Sequence, residues 1–387
     1  MTDALPPSGA LPGTDIAVGL PQPRSDTRIA PLAGRMLLQV NPRKVGAVRE
    51  QLDEGRSGLV LCGKDAVKTA AVLRRARSFT GVLMVDPAVY QNLVATEEDP
   101  FPRLDDGKLP MGDPLALSVS EQLEAGTTAA VTPTGYIRAE DSGALKAAVK
   151  RVAALEDPNL VFAAPIDVMW LADESLDQLI AWLSKVPGPK AVMLGGQKDP
   201  LARGRGTVAN LCRLLSEVPG TALLRTDLAA LGALAHGAAF TAFGHSSAAR
   251  HLVPPGEIAQ SSPGFAKSPH VLHPQLMDFF LGSTLADRYA AGGAPACGCN
   301  SCNGRPLDAY ATNKNPRIGW AAAHNVAILM EWLRTLTAVQ PGKQRQDWWR
   351  ERCRTAVAQY PLVNATLNQR KGFEVPAQLK RWAADPQ

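Results

Sequence analysis

A chain of 387 residues, 45% apolar and 20% charged, can bury a large core, which excludes a disordered polymer, and no apolar run is long enough to cross a bilayer as a helix. The formal charge of +5 is a mild basic excess that permits a nucleic-acid partner without requiring one. Residues 1–35 have neither the basic start nor the apolar middle of a secretory leader, so the cytoplasm is the expected location and free thiols the expected state of the cysteines.

Residues 1–33 carry six prolines among small and polar residues without a hydrophobic period, and read as a disordered tail. From residue 34 short apolar runs of β type follow at 36–40, 59–62, 82–86, 129–132, 160–165, 191–195, 222–225 and 239–243. Between them lie stretches with apolar residues at three- and four-residue steps, at 44–54, 66–78, 142–155, 171–184, 207–217 and 228–236. Near-continuous apolar strands alternating with amphipathic helices indicate a parallel sheet covered on both faces. Eight such repeats predict an α/β fold, a (β/α)₈ TIM barrel over 34–290, with an open doubly wound sheet as the alternative. One connection is abnormally long: from Asp86 to a helix near Ser118 the chain runs through Glu97-Glu98-Asp99-Pro100 and 103–110, a stretch that suits a lid over the face where barrels build their sites.

Beyond Phe243 a Pro- and Ser-containing connector covers 254–274, a helix is expected around 274–289, and a zinc-binding subdomain follows over 291–340. Its core is Cys297-Gly298-Cys299-Asn300-Ser301-Cys302, with His324 on a helix that Asn315 and Pro316 begin. Three thiolates and one imidazole are the donor set that a tetrahedral Zn²⁺ prefers, and four protein ligands leave no position for an activated water, so one structural zinc is expected. A disulfide would leave one thiol of the three unpaired. Cys62, Cys212 and Cys353 stand apart in apolar or helical contexts and read as small buried side chains. Residues 341–387 read as a helical, basic C-terminal extension packed on the barrel or on a partner. Arg305, Lys314, Arg317, Lys343, Arg345, Arg350 and Arg352 offer either a phosphate-binding strip or solvated helix faces.

The run Cys-x-Cys-x-x-Cys, followed by a helix with His324-Asn325-Val326 and Leu329-Met330, resembles the tRNA-guanine transglycosylases, the queuine or archaeosine tRNA-ribosyltransferases. Their barrels carry a structural zinc subdomain near the C-terminus. The interval from Cys302 to His324 is a few residues shorter than in that family. Val82–Asp86 followed by Pro87-Ala88-Val89-Tyr90-Gln91 is similar to the family strand ending in Asp-Ser-Gly-Gly-Phe-Gln, with Asp86 and Gln91 in register. The segment from 228 to Ala249-Arg250-His251 echoes the region of the family nucleophile.

The resemblance implies exchange of guanine for a deazapurine in tRNA or another nucleic acid. One aspartate attacks the ribose C1′ and a second deprotonates the incoming base. Carried over, Asp86 takes the general-base role, although as an aspartate before Pro87 it also suits a strand-ending turn. An ungapped placement puts Ala242 where the nucleophile belongs, and alanine forms no covalent intermediate. Asp167 and Asp227, each just past a strand, are the nearest replacements, and Asp227 equally suits the N-cap of 228–236. Gln91, the turn Gly195-Gly196-Gln197 and Arg250 are the expected substrate-binding residues, the glycine pair through backbone amides turned to a purine edge. Pro87-Ala88-Val89 in place of Ser-Gly-Gly implies a bulkier pocket floor. His245 and His251, with Asp86, offer a second metal or acid/base site. Three function classes therefore stand open: a base-exchanging enzyme; a non-catalytic nucleic-acid-binding partner, in a homodimer or in a heterodimer with a second transglycosylase-like chain; and an unrelated barrel enzyme of small molecules that uses zinc as a staple.

Overall fold

The computed structural model describes residues 30–103, 112–155, 157–258, 268–314, 316–367 and 369–385. The proline-rich start up to residue 29, part of the long connection after Asp86 and the helix-starting Asn315 lie outside the described residues.

Eight parallel strands form a nearly closed barrel: β1 (Met36–Val40), β2 (Gly58–Cys62), β3 (Val82–Asp86), β4 (Ala130–Val131), β5 (Leu160–Asp167), β6 (Lys190–Gly195), β7 (Thr221–Thr226) and β8 (Thr241–Gly244), in the order β3-β2-β1-β8-β7-β6-β5-β4. The pairing of β1 with β8, Leu38 opposite Phe243, rules out the open doubly wound sheet. Between β3 and β4 there is no ladder. Thr128 joins them, its amide donating to Leu83 O at 2.7 Å and its Oγ1 accepting from Leu83 N at 3.1 Å. β4 is only two residues long because the chain leaves the wall at Thr132 and returns at Tyr136, which pairs with Val94, while Ile137 pairs with Ile166. That return closes the upper rim and aims Tyr136 across the mouth.

Alternation along the strands sorts the side chains into two cores. Leu37, Val60, Met84, Val131, Met193 and Leu224 fill the barrel axis with other inward residues, and Leu32 closes the lower end, so packing begins slightly before residue 34. Outward residues meet the helices α1 (Val45–Val48), α2 (Ala66–Arg75), α3 (Pro114–Glu124), α4 (Ser142–Ala153), α5 (Asp173–Leu183), α6 (Thr207–Glu217) and α7 (Ala229–Ala235), with the short α8 (Ser247–Arg250) on the rim. At roughly 1.5–3 kcal/mol for each fully buried large aliphatic side chain, these two layers dominate the stability of the fold.

The region expected as one helix over 274–289 divides. An antiparallel hairpin of β9 (His270–His273) and β10 (Asp278–Leu281) precedes the shorter α9 (Gly282–Tyr289). The alternating His-Val-Leu-His and Asp-Phe-Phe-Leu runs suit strands, and Met277, at φ 48°, turns the chain between them. The long helix α10 (Arg317–Ala338) lies where the sequence placed it. The extension forms α11 (Lys343–Thr366) and α12 (Ala377–Ala383), which pack on the barrel: Trp349 and Trp382 meet edge to face at 6.1 Å over Gly232 of α7. No described helix is long and apolar enough to cross a membrane.

Candidate metal centre and barrel mouth

The cysteine turn is built by its backbone. Cys297 N donates to Arg305 O and Gly304 N to Cys297 O, while Cys302 N and Asn303 N both donate to Cys299 O. Asn303 and Gly304 take left-handed φ values of 49° and 87°, which lets the loop reverse within a few residues. Three sulfurs therefore point inward from one knuckle, and α10 brings His324 against them. The four ligand atoms lie within 4.8 Å of one another, all on buried residues, and could hold a metal ion. His324 Nδ1 is 3.4, 3.6 and 3.2 Å from the sulfurs of Cys297, Cys299 and Cys302. Hydrogen bonds from Cys297 and Cys302 hold Cys299 far below the ordinary thiol range, while the same crowding drives Cys297 far above it. Without a cation three thiolates cannot coexist at this spacing.

Outer contacts orient the ligands. His324 Nε2 lies 2.8 Å from Leu272 O, and donating there leaves Nδ1 with its lone pair toward the sulfurs; Tyr310 OH lies 2.9 Å from Cys302 Sγ. The next residue, Asn325, accepts from Leu272 N at 2.7 Å and donates to His270 O at 2.9 Å. His324 and Asn325 thus satisfy the backbone of β9 while fastening the knuckle to it.

At the barrel mouth Asp86 is 1% exposed. Its carboxylate accepts from Gln39 Nε2 at 2.6 Å, Ala88 N at 2.9 Å and Tyr90 OH at 2.5 Å. Burial raises its pKa, against the pull of Arg225 and these three donors. Tyr90, itself buried, also accepts from Arg225 Nη1 at 3.3 Å, and Gln91, with its amide oxygen turned inward, accepts from both terminal nitrogens of Arg225 at 3.0 Å. Asp86 and Gln91 therefore share one network through Tyr90 and Arg225, and the chain's own tyrosine occupies the carboxylate.

Asp167 and the glycine pair form a second group. Tyr136 OH donates to Asp167 Oδ2 at 2.8 Å, and Asp167 Oδ1 caps the following turn by accepting from Met169 N at 2.9 Å. The Tyr136 ring lies so close over Gly195 that an added Cβ would sit 2.4 Å from it, which is why glycine stands there. The expectation that Gly196 turns its amide to a purine needs correction: that N–H donates to Leu252 O at 2.8 Å. Gln197 ties down the next loop, donating to Glu257 Oε2 at 2.7 Å and to Ile258 O at 3.1 Å. Ala242 is fully buried along the barrel axis, and β8 carries no carboxylate.

Asp227 and Arg250 belong to a third place, a cavity of about 410 Å³ outside the upper ends of β6 and β7, walled also by β10 and α12. Asp227 Oδ1 caps α7 through Ala229 N at 2.9 Å, as its sequence position suggested. Asp199 and Asp278 face the same space, and Gln378 Nε2 donates to Asp199 Oδ1 at 3.1 Å and to Asp227 Oδ1 at 3.3 Å. Burial, with Asp227 nearby, pushes Asp199 up to about 7, and burial pushes Asp278 up to about 7 as well.

His245, His251 and Asp86 do not gather as a second metal site; among the described residues the one group of three or more close metal-ligating side chains is Cys297, Cys299, Cys302 and His324. Burial lowers the pKa of His245 to about 4 and also lowers that of His251. Cys62 and Cys212 are each pushed up to about 12 by burial, consistent with inert thiols. Much of the basic strip is engaged by the chain's own groups: the exposed Lys343 and the more buried Arg350 pair with Asp347, Arg345 donates to Val339 O, and Arg352 lies over the Trp332 ring. Arg305 stacks 4.1 Å from the centre of the partly exposed Trp320, which Lys314 and Arg317 precede by a few residues in the chain.

Sequence reasoning missed Gln39, Tyr90, Arg225, Asp199 and Asp278. Arg225 left a trace, since an arginine ending an otherwise apolar central strand demands buried partners. Gln39 in β1 left a similar one.

No protein-family model matches the sequence, and no curated protein does. Among solved structures, the chain is similar to deoxyribose phosphate aldolase from Aeropyrum pernix, at 18% identity and a TM-score of 0.34, over 56% of this chain and 87% of that one. A likeness this slight carries no argument about activity.

Proposed function

We propose that this chain is a transglycosylase-like barrel that holds one structural zinc ion and binds nucleic acid, tRNA first, as the partner of a base-exchanging chain. The observation that carries the partner role is the state of Asp86: it is buried and its carboxylate is already taken by three donors of the chain itself, Gln39, Ala88 N and Tyr90, while Ala242 supplies no nucleophile. The order His324-Asn325 after Cys-x-Cys-x-x-Cys supports the kinship. Zinc fits the donor atoms: metal–sulfur bonds of about 2.3 Å and a metal–nitrogen bond of about 2.0 Å in a tetrahedron give sulfur–nitrogen edges of about 3.5 Å, against 3.2 to 3.6 Å here. Zinc would supply folding free energy and leaves no open position for a substrate. Three reduced thiols suit the cytoplasm. Trp320 and its flanking Arg305, Lys314 and Arg317 are the residues best placed to meet a nucleic acid.

The test is reconstitution. Purified chain should contain one zinc, bind tRNA with an affinity that falls steeply with salt, and show guanine exchange only when mixed with a second transglycosylase-like chain, with which it should co-purify. Exchange by this chain alone, abolished by Asp86→Ala, would overturn the partner role. Autonomous exchange of guanine for a deazapurine is the second reading, favoured by the placement of Asp227 in an open cavity. It requires a covalent nucleic-acid adduct that Asp227→Asn, which keeps the helix cap, abolishes; an adduct lost instead in Asp167→Asn would name the other candidate.

A further inference from the structure

We propose that the cavity bounded by β6, β7, β10 and α12 binds a small amphoteric molecule, one that carries a protonated amine or amidinium group and, a short distance away, a carboxylate or carbonyl acceptor. Three elements send carboxylates to it: Asp199 from the loop after β6, Asp227 from the end of β7 and Asp278 from β10. Each has its Oδ1 engaged by a backbone amide, from Leu201, Ala229 and Phe279 at 3.0, 2.9 and 2.7 Å, so the carboxylates are fixed in orientation.

Facing them is Arg250, 8% exposed. Its Nε donates to Gly244 O at 3.2 Å and its guanidinium lies 3.4 Å from the centre of the Phe279 ring, yet its terminal nitrogens have no hydrogen-bond partner among the described residues. A buried guanidinium held flat on a ring, with its donors turned to a cavity, is shaped to take an acceptor.

Simpler occupants fail on charge. Lys198 and Arg225 also line the cavity, Arg225 already held by Tyr90, Ala248 O and His251 O, and a bare anion would still meet three carboxylates. A metal cation would leave Arg250 without an acceptor, and the three carboxylates do not approach closely enough to form a metal cluster. The protein's own charges compensate one another only in part: burial holds Asp199 and Asp278 up at about 7, Asp278 against the pull of Arg250, and burial pulls Arg250 down to about 10 against the pull of Asp227 and Asp278. A ligand bearing both groups restores both. The volume of about 410 Å³ suits a molecule of amino-acid to nucleoside size, and Leu194, Leu201 and Leu223 offer an apolar wall for the segment between its two groups.

The inference uses neither the metal centre nor Asp86, so it stands apart from the partner role; it shares its cavity with the second reading, and saturable L-arginine binding without a covalent nucleic-acid adduct distinguishes the two. The experiment titrates the full zinc-loaded chain in a calorimeter with L-arginine, with agmatine, which keeps the guanidinium and lacks the carboxylate, and with pentanoate, which has only the carboxylate. Saturable binding of L-arginine, at least tenfold tighter than of either fragment, is expected. Asp278→Asn, which keeps the acceptor for Phe279 N, and Arg250→Gln should each weaken it at least tenfold. Absence of saturable L-arginine binding, equal binding of a fragment, or binding unchanged in Asp278→Asn would overturn the assignment; should Arg250→Gln fail to fold, Asp278→Asn decides alone.

Discussion

Asp86 and Asp278 show how one residue type acquires different meanings from its surroundings. Asp86 was legible as a strand-ending carboxylate, but not as a sequestered one, because its three donors come from β1, from the next turn and from Tyr90, and only the closed barrel brings Gln39 across. Tyr90→Phe removes the 2.5 Å hydrogen bond and should cost about 1–3 kcal/mol, read from denaturant unfolding. Asp278, pushed up to about 7 by burial, binds its proton more tightly in the folded chain than in the unfolded one. The stability that proton contributes is complete below about pH 4 and is lost as pH rises through about 7. Asp278→Asn should therefore gain on the native chain as pH rises from 5 to 8, by about 2–3 kcal/mol at the upper end. Parallel stability curves for the two proteins across that range would refute the burial assigned to this carboxylate.

Secondary-structure elements follow their sequence patterns wherever local period and burial agree. Strand β1, strand β3 and helix α6 fall on their expected bounds and α10 starts just after Pro316, because a run such as Leu-Leu-Gln-Val or a helix with apolar residues every three or four positions has one way to meet the core. The hairpin of β9 and β10 escaped, since its edge is satisfied by His324 and Asn325, more than fifty positions away in the chain. Asn325→Ala should strip two backbone partners from β9, cost about 1–3 kcal/mol and leave the metal-binding capacity of the Cys297, Cys299, Cys302 and His324 group intact, whereas His324→Ala should lose it; metal analysis beside thermal unfolding separates the two. Helix contacts give a second pair. At Gly232 an added Cβ would lie 2.8 Å from the rings of Trp349 and Trp382, while at Gly319 in α10 nothing lies within 4 Å. Gly232→Ala should destabilise by about 1–3 kcal/mol and expose α11 and α12 to proteolysis, and Gly319→Ala should be neutral or stabilise by up to about 1 kcal/mol.

For the whole molecule, the two cores imply graded stability. Chelation of the metal should release hydrogen-exchange protection around 270–273 and 297–310 while the amides of β1, β6 and β7 keep theirs; loss of protection throughout would show that the metal holds the barrel together as well. The sequence by itself determined the eight-fold alternation, the position of nearly every barrel strand and the four side chains that could hold a metal ion, because periodicity, β-branched runs and closely spaced thiols act over a few residues. Only the tertiary structure decided which carboxylates share a space. Asp86 and Asp227, alike in sequence as aspartates at strand ends, part company because Asp86 points to the packed axis under Tyr90 while Asp227 points outward to a cavity whose other walls, Asp278, Arg250 and Gln378, arrive from later parts of the chain. Burial and charge at such a place are set by contacts distant in sequence, which no local pattern encodes.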